Sequence, residues 1–200
     1  MLCLDFVNSR QRRRSGGSTD RLDSYARLVN WARDAGALAE PEARRLLREA
    51  VRRPAAAAAV LDRGVTLREA IYRVVSAIAD RRLARTSDLN VLNAEIAAAG
   101  GAMRLAPRGE RFQWAWNATG APLERPLWSV ARSAGDVLAS GLLSAVRQCP
   151  ASDCGRLFLD RSRNRTRRWC DMRGCGNRAK ARRYYARRRS RRARSAGGKS

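Results

Sequence analysis

The chain has 200 residues, of which 42 are Lys or Arg, 18 are Asp or Glu and none is His, so its net charge is +24. Residues 147–200 hold 19 of the basic and 3 of the acidic side chains, a net of +16, which leaves 23 and 15, a net of +8, for residues 1–146. Like charges at this density destabilise a compact state unless a polyanion neutralises them, so the composition predicts nucleic acid as the partner.

A membrane partner is not expected. The basic C-terminal residues lack the Leu, Phe and Trp side chains that insert between lipid headgroups. No stretch approaches the roughly twenty apolar residues of a transmembrane helix. The first residues are apolar and the basic ones follow, the reverse of a signal peptide, so we expect a cytoplasmic protein associated with the nucleoid.

The first predicted element is Leu2–Phe6, whose alternation of apolar and polar residues fits a short strand, although a short helix is equally compatible. Asp5 and Asn8 are expected to bond to local backbone groups rather than to line a pocket. Residues 10–19 are basic and then rich in Gly and Ser, which predicts a mobile loop.

Four helices are predicted next, because apolar residues recur at helical spacing. The first begins at an Asp20 N-cap and ends at Gly36. The second begins near Pro41, and the third begins around Pro54 with a point of interruption at Gly64. The fourth is capped by Ser87 and Asp88 and ends at Gly100 and Gly101. The side chains expected to face the core are Leu22, Tyr25, Val29, Ala32, Ala43, Leu46, Leu47, Val51, Leu67, Ile71, Val74, Val75, Ile78, Leu89, Leu92 and Ile96.

The hydrophobic period then changes to two. Residues 103–105 and 112–116 alternate on either side of a turn at 107–109, which predicts a β-hairpin whose aromatic face packs on the helices. A long helix is predicted from Pro126 through Val146. The tryptophans at 31, 114, 116 and 128 are expected to pack in the core, and the alternative is a pocket that binds a small molecule.

Four cysteines form two matched pairs, Cys149-x4-Cys154 and Cys170-x4-Cys175, separated by fifteen residues. Two short loops with two cysteines each are typical of a tetrahedral zinc site, and without histidine the site must consist of thiolates alone. The alternatives are two disulfides or buried apolar thiols, but disulfides belong to oxidising compartments. A zinc ion with four protein ligands has no open position, and acid–base or nucleophilic constellations are absent, so we expect one structural Zn2+ and no enzyme.

The residues around these cysteines carry a resemblance. Trp169-Cys170-x4-Cys175-Gly176-Asn177-Arg178, preceded by the first cysteine pair and Leu157-Phe158-x-Asp160, resembles the CGNR-type zinc finger of bacterial transcription regulators. Leu2-Cys3-Leu4-Asp5-Phe6-Val7-Asn8, with Trp31 and Gly36, resembles the start of an ABATE-type helical domain. The resemblance implies a cytoplasmic DNA-binding protein with a role in stress-related transcription.

The finger is expected to resemble a treble clef. Cys149 and Cys154 would form a knuckle, Leu157–Leu159 and Arg167–Trp169 two strands, and Cys175 would open the final helix, where free N–H groups stabilise a thiolate. Gly176 is expected to allow close approach to the metal loop, and Asn177 to satisfy backbone groups beside it.

The final helix is basic on nearly every face. The exceptions, Ala181, Tyr184 and Tyr185, are expected to lean back on the finger. The predicted phosphate contacts include Arg182 and Arg187, and Arg173 or Arg178 is expected to read bases. The full set of predicted nucleic-acid contacts is Arg173, Arg178, Lys180, Arg182, Arg183, Arg187 and Arg188.

The sequence therefore predicts a mainly α protein with a small β-hairpin. Residues 1–146 form a helical domain for sensing or association, residues 147–194 form a treble-clef-like four-cysteine zinc finger that ends in a basic helix, and residues 195–200 form a disordered tail. The predicted function is zinc-dependent DNA binding in transcription regulation, and the alternative is an RNA-binding or ribosome-associated module. A homodimer is compatible with the sequence.

Overall fold

The computed structural model describes residues 1–12, 18–117 and 119–197. Its first element is a helix, α1 (Leu2–Val7), so the strand predicted for Leu2–Phe6 is wrong and the compatible short helix is correct. Four of its six residues are buried, because the helix lies against the core rather than at an edge. Six residues are too few for an apolar period to distinguish helix from strand.

A small ribbon replaces the predicted loop at residues 10–19. Strands β1 (Arg10–Arg12) and β2 (Ser18–Asp20) pair antiparallel, and residues 13–17 lie outside the described residues.

Asp20 does not cap a helix. Its carboxylate pairs with the guanidinium of Arg68, a side chain that is fully buried in the described structure. The next helix begins later, and Ser24 is its N-cap, with an Oγ that accepts from the Arg27 N–H at 3.3 Å.

The helical core is built from α2 (Tyr25–Asp34), α3 (Glu40–Arg52), α4 (Pro54–Ala79), α5 (Thr86–Gly101) and α6 (Arg125–Leu138). Most of the predicted core residues are buried, but Val51 and Leu89 are exposed. The buried set includes Leu22, Tyr25, Val29, Ala32, Ala43, Leu46, Leu67, Ile71, Val74, Val75 and Leu92.

Two polar or small residues in these helices differ from their predicted roles. Gly64 does not interrupt α4, which is continuous there. A Cβ at this position would lie 3.1 Å from Leu127 Cδ2, so the glycine permits close packing of α4 on α6. Asp88 does not cap α5, because it is buried inside the first turn and accepts from Arg73 Nε at 2.8 Å.

The predicted hairpin is present as β3 (Met103–Arg108) and β4 (Arg111–Trp116). The strands are antiparallel, and each residue of β3 pairs with a residue of β4. The hairpin packs on the helices mainly at its base, where the Trp116 ring lies 5.7 Å from the Trp128 ring, and the Arg132 guanidinium of α6 lies 5.9 Å from the centre of the Trp114 ring. Trp128 is buried and Trp31 packs on Phe6, as a core role requires, whereas Trp114 and Phe112 are exposed. The aromatic face is therefore only half covered.

The long helix predicted from Pro126 through Val146 is interrupted. Helix α6 ends at Leu138, where the Ser140 hydroxyl accepts from the Leu142 N–H at 3.3 Å and begins a 3-10 turn, Gly141–Ala145. Val146 then starts β5 (Val146–Gln148), which pairs antiparallel with β6 (Leu157–Leu159). The chain ends in α7 (Asn177–Gly197).

The predicted fold class is confirmed: the protein is mainly α, with two-stranded sheets and a terminal helix after the cysteine cluster. Helix α7 continues through residues 195–197, which the sequence assigned to the tail, and residues 198–200 lie outside the described residues. None of the described helices combines the length and the apolar composition that a membrane crossing needs.

Candidate metal centre and basic helix

The first cysteine pair lies in the loop of the β5–β6 hairpin. The Cys149 N–H donates to the Arg156 carbonyl at 2.9 Å, which continues the pairing of the two strands, and the Cys154 N–H donates to the Ala151 carbonyl at 3.0 Å. The predicted knuckle is therefore the turn of a hairpin.

In the second pair, Cys170 precedes a single wide helical turn, Met172–Gly176, and Cys175 lies within this turn, which is followed by α7. Asp171 caps this turn: its carboxylate accepts from the N–H groups of Arg173 at 3.2 Å and Gly174 at 2.6 Å. Cys175 lies near the end of the turn, two residues before α7 begins, so it precedes the final helix rather than opening it.

The four sulfur atoms of Cys149, Cys154, Cys170 and Cys175 lie within 4.8 Å of one another. The Cys154–Cys170 and Cys170–Cys175 separations are both 3.7 Å. A tetrahedral zinc ion with Zn–S bonds of about 2.3 Å requires sulfur atoms about 3.8 Å apart. Two of the six separations match this value and the others are at most 4.8 Å, so the four sulfur atoms are close enough to hold one zinc ion.

The electrostatics of the cluster also call for a cation. Burial raises the pKa of Cys170, and that of Cys175 to about 11, and the neighbouring sulfur atoms of Cys154 and Cys149 add to both shifts. Burial also opposes ionisation of Cys149, but N–H groups of Cys170 and Ala151 outweigh it and lower the pKa of Cys149. Ionisation of Cys149 is favoured and ionisation of Cys170 and Cys175 is not, so a site of four thiolates requires a divalent metal to offset their repulsion.

Arginines of α7 fasten the helix to the metal site. Arg178 donates to the Cys175 sulfur at 3.3 Å and its Nε lies 3.1 Å from the Asp153 carboxylate. Arg182 reaches the same carboxylate at 3.5 Å and the Ser152 hydroxyl at 3.2 Å. The backbone N–H of Asp153, followed by these two guanidinium groups, holds the pKa of Asp153 below its usual range. Two predicted nucleic-acid contacts therefore also have structural partners.

The other residues predicted to contact nucleic acid are exposed to solvent. The side chains of Arg173, Lys180, Arg183, Arg187 and Arg188 are exposed, and within the described part of the chain none has an ion-pair partner. Beyond Ala179, which is buried, every side chain of α7 through position 189 is exposed.

The tyrosine prediction was wrong. Ala181, Tyr184 and Tyr185 do not lean on the finger, because α7 leaves the finger surface after about two turns. Instead, the Tyr184 ring packs edge-on against Tyr185 at 5.6 Å and lies 5.7 Å from the Arg188 guanidinium.

The strand predicted at Arg167–Trp169 is also wrong, since β6 pairs with β5 instead. Arg167 stabilises an irregular segment: it donates to the Trp169 carbonyl at 2.9 Å and to the Cys170 carbonyl, and it lies 5.0 Å from the centre of the Phe158 ring. This arginine orders the backbone that leads to the third cysteine.

Acidic residues of the finger were missed by the sequence reasoning. Asp160 is buried and accepts from Ser162 and from the Arg167 N–H at 2.9 Å, while Asp153 and Asp171 anchor α7 and its preceding turn. For Asp153 and Asp171 the sole signal was that they are acidic residues in a strongly basic segment, whereas Asp160 belonged to the Leu157-Phe158-x-Asp160 motif but had no predicted role.

The glycine of the motif permits a close approach. A Cβ on Gly176 would lie 2.7 Å from Met172 Sδ, in the loop between Cys170 and Cys175, and 3.4 Å from Trp169 Cδ1, so the close approach is to side chains in and next to the metal loop. Asn177 is exposed at the start of α7.

Strand β6 joins the finger to the helical domain. Its Leu157 is buried in the helical core, whereas Phe158 is buried beside the cysteines. Asn8 holds the strand: its amide donates to the Leu157 carbonyl at 2.8 Å and accepts from the Leu157 N–H at 3.1 Å. Gln148 donates to the Tyr72 hydroxyl at 2.7 Å. Asn8 thus bonds to a distant strand, and the predicted local bonding is wrong.

Comparison with known families gives two matches. A family model described as ABATE, a putative stress-induced transcription regulator, matches residues 1–141, and a model of the CGNR zinc finger matches residues 145–188. No curated protein matches the chain. The zinc-finger match and the sulfur geometry agree on one structural zinc ion held by the four cysteines.

Proposed function

Because the chain belongs to the ABATE family and continues into a CGNR zinc finger, we propose that it is a transcription regulator that binds duplex DNA through α7. The observation that carries this proposal is the way α7 is held. Arg178 and Arg182 attach its first turns to the metal site, and from residue 183 to residue 189, where the side chains are described, all are exposed and the cationic ones have no carboxylate partners.

Such a helix suits a groove between phosphate ridges. The major groove of B-DNA admits one α-helix, and arginine pairs bidentately with phosphate oxygens and with the O6/N7 edge of guanine. Lys180, Arg183 and Arg187 lie on one side of α7, because residues three, four and seven positions apart share a face, and the exposed Arg189 lies on the opposite side, so both ridges would be within reach. The tyrosine pair adds an apolar surface for sugar and base edges.

The zinc ion supplies rigidity rather than chemistry in this proposal. Four cysteine ligands fill its tetrahedral positions, which leaves none for water or substrate, so we propose a binding protein and not an enzyme. Binding to chromosomal DNA would associate the protein with the nucleoid.

The test is a salt titration of duplex binding by the full chain. The triple variant Arg183→Gln/Arg187→Gln/Arg188→Gln removes exposed charges of α7 and leaves the anchoring arginines intact. Each lost phosphate contact removes about 0.9 from the slope of log K against log salt, so the slope should become shallower by about two to three units.

The matched control is Arg27→Gln/Arg44→Gln/Arg82→Gln. It removes the same charge from arginines that already pair with Asp23, Glu40 and Asp80. It should retain the wild-type slope. Equal slopes for the two variants would refute the role of α7, and preferential binding of structured RNA over duplex DNA would establish the RNA alternative instead.

A further inference from the structure

The β3–β4 ribbon has one apolar face. Its cross-strand pairs Met103–Trp116, Leu105–Trp114 and Pro107–Phe112 share this face. The first pair packs on the helices, and the Arg132 guanidinium of α6 lies 5.9 Å from the centre of the Trp114 ring. Farther out, Leu105 is 60% exposed, Trp114 56% and Phe112 72%. Three large apolar side chains therefore form a contiguous exposed surface, of a kind that marks an interaction site.

The opposite face of the ribbon is cationic. It contains Arg104, Arg108 and Arg111, interleaved with Ala106, Gln113 and Ala115. Within the described residues Arg104 and Arg111 have no ion-pair partner, and Arg108 reaches only the Gln113 side chain at 3.4 Å. Glu110, in the turn, is the one acidic residue between positions 103 and 116, so this segment has a net charge of +2.

A two-stranded ribbon is marginally stable in water, so a free-standing ribbon with an exposed apolar face should gain stability from a partner. A second copy of the chain would cover the apolar face, but it would bring together two chains of +24 and leave the arginines without counterions. A DNA groove offers both chemistries, because sugars and base edges lie between two rows of phosphates.

We infer that the β3–β4 ribbon is a second DNA-contacting arm, separate from α7. Its arginines pair with phosphates at the rims of a groove, and Pro107, Phe112 and Trp114 pack against sugars and base edges inside it. Ribbons are known to enter DNA grooves in this way, and apolar side chains at such sites can wedge between base steps. This inference rests on the proposed binding of duplex DNA.

The first test replaces the charged face in the full-length, zinc-loaded chain. Arg104→Gln/Arg108→Gln/Arg111→Gln should make the salt slope shallower by about two to three units and shorten the hydroxyl-radical footprint on the duplex. The control is again Arg27→Gln/Arg44→Gln/Arg82→Gln, which should leave both quantities unchanged. Zinc content and helicity should be the same in all of these proteins.

The second test replaces the apolar face. Phe112→Ser/Trp114→Ser should weaken duplex binding about tenfold or more while the salt slope stays at its wild-type value, since apolar contacts release no counterions. Val51→Ser/Leu83→Ser is the control, because both of those side chains are also highly exposed but lie elsewhere. Light scattering on the proteins as they elute from a size-exclusion column measures the number of chains per particle.

The outcomes separate the two proposals. If the ribbon variants bind like their controls while the α7 variant loses affinity, the arm is refuted and the role of α7 remains. If Phe112→Ser/Trp114→Ser converts a dimer to a monomer without changing the DNA affinity per chain, the face binds a second copy and the inference is wrong. If the wild-type chain does not bind duplex DNA, both proposals fail.

Discussion

The helical domain and the finger are stabilised by different means. In the helical domain, buried apolar side chains from α1 to α6 form one continuous cluster. In the finger, the buried cluster consists of Cys149, Ala151, Cys154, Phe158 and Cys175, with Trp169 and Cys170 beside it. A core this small does not fold without help, so the zinc ion must supply most of its stability. The finger therefore needs contact with the helical domain as well as a metal.

The largest effect should come from the metal ligands. Cys170→Ser removes one thiolate, and the chain should then lose its zinc and the ordered structure of the finger while the helices of the N-terminal part remain. Elemental analysis and far-ultraviolet circular dichroism measure the two quantities. Cys3→Ala is the control, because Cys3 is buried in the helical core and should leave zinc content unchanged.

The two neighbouring residues of β6 should separate the two clusters. Leu157→Ala opens a cavity in the helical core and should lower the free energy of unfolding by about 2–5 kcal/mol with zinc retained. Phe158→Ala should instead accelerate zinc removal by a chelator. Denaturant unfolding and a chelator assay on both variants test this. If the two substitutions had the same effects, the two clusters would not be distinct.

A smaller effect is expected at Asn8, which holds β6 from the helical side. Asn8→Ala leaves the Leu157 N–H and carbonyl without these partners and should cost about 1–3 kcal/mol. Hydrogen exchange at the Leu157 amide should accelerate. Asn8→Asp keeps an acceptor for the N–H and should protect that amide better than alanine does; equal exchange in both variants would contradict the contact.

The smallest effect is expected at Asp153, which is partly exposed. Asp153→Asn should cost less than about 1 kcal/mol, because solvent screens such pairs. Its pKa is lowered in the folded protein, so its contribution is present above the ordinary carboxyl pKa and is lost as the pH falls below that value. The difference in unfolding free energy between wild type and Asp153→Asn should therefore disappear in acid. A difference that persists there would assign the effect to another contact.

Much of this arrangement follows from local patterns. Proline at the first turn locates α3, α4 and α6, the change of period locates the β3–β4 ribbon, and the cysteine spacing identifies the metal ligands. Each of these signals lies within a short stretch of sequence. The fold class and the zinc site were therefore predictable.

The failures involve partners that are far apart in sequence. Asp20 looks like a helix cap, but its partner Arg68 is 48 residues away. Asn8 looks like a local turn former, yet it bonds to Leu157, 149 residues away. Val146 continues an apolar helical pattern, but pairing with Leu159 draws it into a strand. Local periodicity contains no information about such partners.

Strand β6 belongs to both clusters, so the helical domain is incomplete without it. The direct measurement compares the thermal stability of two fragments, residues 1–146 and residues 1–160. Burial of Leu157 and the Asn8 contacts are together worth several kcal/mol, so the longer fragment should melt roughly 5–10 °C higher, and Leu157→Ala in it should remove much of that gain. Equal melting temperatures would mean that the helical domain is complete without β6 and that the finger is an independent module.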